Sequence, residues 1–170
     1  MGYKKYYSFL SKEHLDIVTK EVNNIFTSPS STYRTNITHW PSNIVHDSKA
    51  VLIYDLTSSN SISYNLILKT CQEKLNKTPL YIMVYYWTIG SYIPWHNDDN
   101  FDSAGTLYLN ENWDLNWGGL YNCINQEKIE IILPEYNLLV EQFDKMFHST
   151  TPLSSLAPFR VTIQIFFKKD

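Results

Sequence analysis

The run Leu80-Tyr81-Ile82-Met83-Val84-Tyr85-Tyr86-Trp87-Thr88-Ile89 decides how this chain is read. It is β-branched and aromatic almost throughout, which is the composition of a half-buried or buried strand. Shorter runs of the same texture follow at residues 106–110, 120–124, 129–133, 138–143 and 159–167. Turn formers separate them: residues 97–100, Trp117-Gly118-Gly119, Pro134-Glu135-Tyr136-Asn137 and Thr151-Pro152. Many short strands at regular spacing predict a β-sandwich or jelly roll.

Upstream of residue 80 the pattern is helical. Ser11 is a good N-cap, flanked by Leu10 and Leu15 as a hydrophobic staple. Leu15, Val18, Val22 and Ile25 then recur on one helical face, and Thr27-Ser28-Pro29-Ser30-Ser31 ends the run. Residues 31–49, with Trp40-Pro41, read as polar and irregular, and residues 50–56 as a short strand. Asn60 or Ser61 caps a second helix whose apolar positions are Leu66, Leu68, Cys71 and Leu75. The expected fold is mainly β (α+β). A double-stranded β-helix, or jelly roll, spans about residues 81–168 and rests on helical support over about residues 1–80. All of it forms a single domain, 1–170.

Composition bounds the function. A chain of 170 residues with 44% hydrophobic and 18% charged residues is an ordinary globular domain, large enough for a core without covalent staples. The 13 Tyr and 5 Trp suggest an aromatic-lined interior or cleft, with core packing the default role for most rings. The net charge of −3 and the lack of any basic run leave no phosphate-binding footprint, so no nucleic-acid partner is expected. Cys71 and Cys123 make no disulfide framework. No signal-peptide pattern, bilayer-length apolar run or myristoylation signal is present, so no membrane association is expected. A reducing cytoplasm fits these features.

The chemistry concentrates in His96-Asn97-Asp98, His148 and Arg160. On an extended segment His96 and Asp98 point the same way, so one short stretch can give two ligands to one ion. His148, the one histidine downstream of His96, would bring the third from a distant strand. Two His and one carboxylate on one face of an octahedral ion leave open positions, the arrangement of non-haem Fe(II) oxygenases. Alone the triplet is weak: with five His and nine Asp, roughly 0.3 His-x-Asp triplets arise by chance. The ordered set strengthens it: an aromatic strand, the triplet, a second His about fifty residues on, then an Arg opening an apolar strand. His14, on the first helix, and His39 and His46, in polar loop, have no such context.

Arg160 is one of only two arginines. Within Pro158-Phe159-Arg160-Val161-Thr162-Ile163-Gln164-Ile165-Phe166-Phe167 it must meet an anion or a solvated edge, since burying it unpaired is costly. Alternation puts Arg160, Thr162 and Gln164 on one face and Val161, Ile163 and Ile165 on the other. The first face can clasp a carboxylate bidentately; an internal ion pair with Asp or Glu is the structural alternative.

These residues resemble the Fe(II)/2-oxoglutarate-dependent dioxygenase superfamily, and within it the prolyl-4-hydroxylase-like branch. The likeness spans roughly residues 81–168 and, more loosely, the helical part. Tyr86 and Gly90 precede His96-Asn97-Asp98 at the family's spacing. Thr106-Leu107-Tyr108-Leu109-Asn110-Glu111-Asn112-Trp113 resembles its Tyr-Leu-Asn strand and acidic loop, and Trp117-Gly118-Gly119-Leu120 its paired-glycine turn. Pro134, then Asn137-Leu138-Leu139-Val140, leads into His148 as the family's late strand does. Departures are Leu120 where the family often has Glu, and Phe166 where the nucleic-acid demethylases carry a second Arg. Arg160 stands where collagen-type enzymes usually carry Lys, and resembles the oxygen-sensing type and its microbial relatives.

The resemblance implies Fe(II) held by His96, Asp98 and His148, and 2-oxoglutarate anchored at its far carboxylate by Arg160, Tyr108 and Thr162. Tyr86 would line the co-substrate end of the cavity. It also implies O2 as oxidant, ascorbate as an accessory reductant, and hydroxylation of an unactivated C–H bond. The substrate would be a prolyl residue in a peptide or protein, or a small proline-like molecule. Tyr92, Trp95, Phe101, Trp113 and Trp117 flank the expected mouth, where ring stacking competes with simple loop packing as their role. Three other readings use part of the same constellation: a cupin-like metal enzyme without 2-oxoglutarate, a non-catalytic jelly-roll binding module, and a zinc hydrolase.

Overall fold

A computed structural model of the chain describes residues 2–27, 36–38, 51–59, 61–143 and 145–168. The expected helix break at residues 28–31, Trp40-Pro41, His39, His46 and Asn60 lie outside the described residues. In chain order the elements are strand β1 (Tyr3–Tyr6), helix α1 (Lys12–Thr27), β2 (Asn36–Thr38), β3 (Val51–Asp55), helix α2 (Ile62–Leu75), β4 (Pro79–Trp87) and β5 (Ser103–Tyr108). A 3-10 turn at Leu115–Trp117 follows, then β6 (Tyr121–Asn125), β7 (Lys128–Ile132), β8 (Leu139–Phe143), β9 (His148–Thr150) and β10 (Arg160–Phe167).

The strands form two antiparallel sheets, a large one in the order β1-β8-β5-β10-β4-β3-β2 and a small one in the order β7-β6-β9. This mainly β jelly roll with two helices is the expected fold class. The support around it is not purely helical. Strands β1, β2 and β3 extend the large sheet at both edges, and β2 lies within a stretch that reads as irregular. The sequence reading contains neither β1 nor β2. Tyr3-Lys4-Lys5-Tyr6 becomes a strand by pairing with Gln142 to Leu139 of β8, a partner far away in the chain. No helix among the described residues is long and apolar enough to cross a membrane.

Both helices pack on one face of the large sheet. Leu15, Val18, Val22 and Ile25 of α1 are buried, and the Ser11 hydroxyl accepts from the His14 amide as the N-cap. Each such side chain removed from water stabilises the fold by roughly 1.5–3 kcal/mol. Helix α2 is capped by Ser61, whose side chain accepts from the Tyr64 amide. Its buried stripe is Ser63, Ile67, Thr70 and Cys71, with Leu66 and Leu75 flanking, so Ile67 and not Leu68 carries the core contact. Facing them are Ile82, Val84 and Tyr86 of β4, Leu107 of β5, Leu139 of β8, and Ile163, Ile165 and Phe167 of β10.

Strand alternation sends the neighbours of these residues to the opposite face, toward the small sheet. Arg160 and Thr162 of β10 and Tyr108 of β5 are among them, and all three are buried. The fold therefore divides its large sheet into a helix-covered structural face and a face that looks into a hollow.

Candidate metal and co-substrate site

His96 and His148 are brought together by the backbone. They form an isolated antiparallel bridge in which each amide donates to the other's carbonyl, at 3.0 and 2.9 Å. Residues opposed in this way project their side chains to the same side of the sheet, and the two rings lie 4.1 Å apart between centroids. Asp98 follows two residues after His96 and accepts a backbone bond from Phe101 at 3.0 Å, which turns the chain and returns the carboxylate toward the rings. Its oxygens lie 3.8 Å from His96 Nε2 and 3.6 Å from His148 Nε2. One donor atom from each of the three residues falls within 4.8 Å of the others.

The tautomers follow from second contacts. His96 Nδ1 bonds the Pro94 carbonyl at 2.8 Å and His148 Nδ1 the Met146 carbonyl at 2.9 Å. A carbonyl can only accept, so each Nδ1 carries the proton and each Nε2 keeps its lone pair for a metal. Burial, reinforced by the His96 ring alongside, pulls the His148 pKa down to about 3. His148 is therefore neutral at any physiological pH. Burial pushes the Asp98 carboxyl above its usual range, with His96 and the Gln142 amide opposing the shift. A site that gathers a carboxylate and two lone pairs fits a divalent metal that accepts nitrogen and oxygen ligands.

A second neighbour completes the surround. Gln142, on β8, donates from Nε2 to Asp98 Oδ2 at 2.5 Å and lies 3.2 Å from His148 Nε2. Its carbonyl oxygen accepts from the Tyr121 hydroxyl, and the Tyr121 ring stacks on His148 with centroids 5.4 Å apart and planes 19° apart. Burial lifts the Tyr121 phenol well above its usual pKa, so it remains a donor.

The hollow itself is a cavity of about 340 Å³ lined by His96, Asp98 and His148 together with Trp87, Thr106, Arg160 and Gln164. That size suits a small ligand. Arg160 is only 1% exposed, yet among the described residues its Nε and Nη2 have no hydrogen-bond partner, and neither does the equally buried Tyr108 hydroxyl. The guanidinium is held between rings, with Cζ 4.9 Å from the Trp87 centroid and 5.4 Å from that of Tyr108. Burial lowers its pKa, and Tyr108 opposes that shift; the phenol itself is raised by burial to about 12 and stays protonated. Among the described residues no anion meets these N–H groups, and a buried guanidinium with free N–H groups can receive a carboxylate or phosphate. Thr162 Oγ1 accepts from Trp87 Nε1 at 2.9 Å and from Gln164 Nε2 at 3.1 Å, which leaves its proton to donate.

A paired-glycine turn runs beside this cation, and its second glycine makes room for it. Gly118 and Gly119 both have positive φ, +71° and +63°. A Cβ on Gly119 would meet Leu153 Cδ2 at 2.7 Å and Arg160 Cδ at 2.9 Å.

Tyr86 does not reach the hollow. It is buried on the helix face, where its hydroxyl donates to the Val22 carbonyl at 2.6 Å and its ring stacks on Phe26. Trp87, paired directly with Arg160 across β4 and β10, occupies the cavity side instead. The reason is parity: the register pairs Tyr86 with Val161, on the apolar face of β10. Of the five aromatics expected at the mouth, Phe101 lines the cavity. Trp113 is buried in loop packing, edge-on to Trp117 and donating to the Gly118 carbonyl. Trp95 is 42% exposed and Tyr92 half-buried, both outside the lining. Trp87, Tyr121 and Gln142 were missed by the sequence reading. For Gln142 a signal exists: Glu141-Gln142 interrupts an apolar strand six residues before His148.

No family model and no curated protein matches the chain. Solved structures do. A prolyl-4-hydroxylase from Pseudomonas putida superposes with a TM-score of 0.76 at 15% identity, covering 99% of this chain and 93% of that one. The fold is the one seen in that prolyl-4-hydroxylase. The same prolyl-hydroxylase fold recurs in an enzyme from Trichoplax adhaerens in complex with a hypoxia inducible factor oxygen degradation domain peptide fragment. That match has a TM-score of 0.73 at 19% identity and covers 98% and 84% of the two chains. A viral collagen prolyl hydroxylase from Paramecium bursaria Chlorella virus-1, in its 2OG complex, superposes at 0.68 with 14% identity and 98% and 95% coverage.

Proposed function

We propose that this chain is a non-haem Fe(II)- and 2-oxoglutarate-dependent dioxygenase. The observation that carries the proposal is Arg160, a buried guanidinium whose Nε and Nη2 have no partner among the described residues, in the same cavity as His96, Asp98 and His148. A cupin-like metal enzyme built on the same ligands would not need that cation, and an unpaired buried charge is costly.

In this reading His96 Nε2, Asp98 and His148 Nε2 hold Fe(II). Arg160 clasps the far carboxylate of 2-oxoglutarate, with the Tyr108 and Thr162 hydroxyls donating to it. Bound iron, with 2-oxoglutarate and O2, supplies the oxidising chemistry that hydroxylates an unactivated C–H bond and leaves succinate and CO2. Ascorbate would serve as an accessory reductant. The protein's own part is orientation and dryness. Pro94 and Met146 carbonyls fix the imidazole tautomers, and Phe101 and Phe166, with centroids 4.5 Å apart, wall the cavity against water.

The substrate we propose is a prolyl residue in a peptide or protein, or a small proline-like molecule. Its support is the fold shared with prolyl hydroxylases, one of them holding a peptide, and an aromatic wall suited to an aliphatic ring. We assign the protein to a reducing cytoplasm, in keeping with its free, buried Cys71 and Cys123. The test is aerobic incubation with Fe(II), ascorbate, 2-oxoglutarate and a panel of proline-containing peptides and free proline. The expected result is succinate in step with a one-oxygen mass gain on one of them. Succinate without any prolyl product would move the substrate class. No succinate with any substrate, from protein that binds both metal and 2-oxoglutarate, would contradict the oxygenase reading.

A further inference from the structure

Asp98 is the least constrained of the three ligands. The two histidines are locked to each other through the backbone and to carbonyls through Nδ1. Asp98 sits on a turn, and the terminal torsion of a carboxylate is soft. Something must choose which oxygen faces the ion. Gln142 Nε2 engages Oδ2 at 2.5 Å, a charge-assisted bond that takes up a lone pair of this oxygen; Oδ2 lies 3.6 Å from His148 Nε2 and Oδ1 3.8 Å from His96 Nε2.

The amide could turn over only at a cost. Its carbonyl oxygen is taken by the Tyr121 hydroxyl, and inversion would bring that oxygen against the Asp98 carboxylate. Gln142 and Tyr121 are 7% and 2% exposed, so water does not offer either an alternative. The Tyr121 ring, stacked on His148, ties the same pair to the other strand's ligand. The contact from Gln142 Nε2 to His148 Nε2, at 3.2 Å, is longer and between neutral groups, so the bond to Asp98 dominates.

We propose that Gln142, oriented by Tyr121, is a positioning residue that presents Asp98 to the metal through a single carboxylate oxygen. This rests on the assignment of His96, Asp98 and His148 as metal ligands. Such outer contacts are worth about 10–100-fold in metal affinity.

The test is Co(II) titration of the metal-free protein, followed by calorimetry and by the visible spectrum of the bound ion. Gln142→Met keeps volume and removes the amide. It should bind Co(II) about 10–100-fold more weakly, with an altered visible spectrum as the freed carboxylate turns both oxygens to the ion. Tyr121→Phe keeps the ring on His148 and removes the hydroxyl. It should shift affinity and spectrum in the same direction by less, and the double variant should bind no more weakly than Gln142→Met alone. If Gln142→Met does not fold, Tyr121→Phe decides. Wild-type affinity and spectrum in the variants would overturn the role of Gln142 while leaving the metal site standing. A wild-type protein that binds no Co(II) would overturn both.

Discussion

Replacing Arg160 by Met should have opposite effects on the free and the ligand-bound protein. In the free protein the guanidinium is 1% exposed, and its Nε and Nη2 lack partners among the described residues. Each unsatisfied polar group costs about 1–3 kcal/mol. The faces of Trp87 and Tyr108, 4.9 and 5.4 Å from Cζ, return on the order of 2 kcal/mol. Met fills much of the same volume without a charge, so the metal-free, ligand-free variant should unfold at the same or a higher urea midpoint. Binding of 2-oxoglutarate should suffer instead. Losing a bidentate, charge-assisted pair in a buried site removes about 3 kcal/mol or more, or at least ~100-fold in Kd. Arg160→Lys keeps the charge and loses the fork, so its Kd should fall between the two. The assay is calorimetric titration of 2-oxoglutarate under nitrogen with Mn(II) in the site, beside urea unfolding of the free proteins. A 2-oxoglutarate Kd unchanged in Arg160→Met would refute the anchor. A large drop in the variant's free-state stability would show that the cation has a structural anion after all.

The fold should respond to acid through His148. Its pKa is pulled from 6.5 to about 3 in the folded protein, so between those values the unfolded chain binds the extra proton. The stability His148 holds at neutral pH is present above 6.5 and is lost as pH falls toward 3, an effect that the raised Asp98 carboxyl, which takes up a proton in the folded protein, partly offsets. Urea midpoints of metal-free protein against pH should show that slope, and His148→Leu should flatten it. Gly119→Ala puts a Cβ 2.9 Å from Arg160 Cδ and strains a positive φ; 2-oxoglutarate affinity should drop, and an unchanged Kd would mean the cradle has slack. Glu141, next to Gln142 on β8 but on the helix face, is 1% exposed and takes bonds from Lys77, Ser103 and Tyr6 at 2.8, 2.9 and 3.1 Å. Glu141→Ala should cost about 3–5 kcal/mol in chemical denaturation yet leave Co(II) affinity intact. Weakened Co(II) binding would show that the two faces of β8 are not independent.

The parts legible in the sequence were those set by local period. The strand texture after residue 80, the α1 stripe and the split of β10 into a polar and an apolar face each depend on a residue's own neighbours. The pairing of His96-Asn97-Asp98 with His148 was readable because the triplet, the later His and the trailing Arg come in a telling order. What was not legible depends on register. Tyr86 and Trp87 are equally good strand residues, and only the pairing of Trp87 with Arg160 says which one enters the cavity. Strand β1, with two lysines, has no strand signal of its own and exists because β8 offers it an edge. Gln142 and Tyr121 lie in different sheets, and nothing short of the folded arrangement brings an amide on β8 to a phenol on β6.

In the proposed function one hollow holds ferrous iron at His96, Asp98 and His148 and 2-oxoglutarate at Arg160. Visible absorption of the protein under nitrogen, with Fe(II) and 2-oxoglutarate added in turn, tests it most directly. A weak metal-to-ligand band should appear only with both additions, be bleached by O2, and be lost in His148→Ala. If the two together give no band beyond that of either alone, the shared site is contradicted.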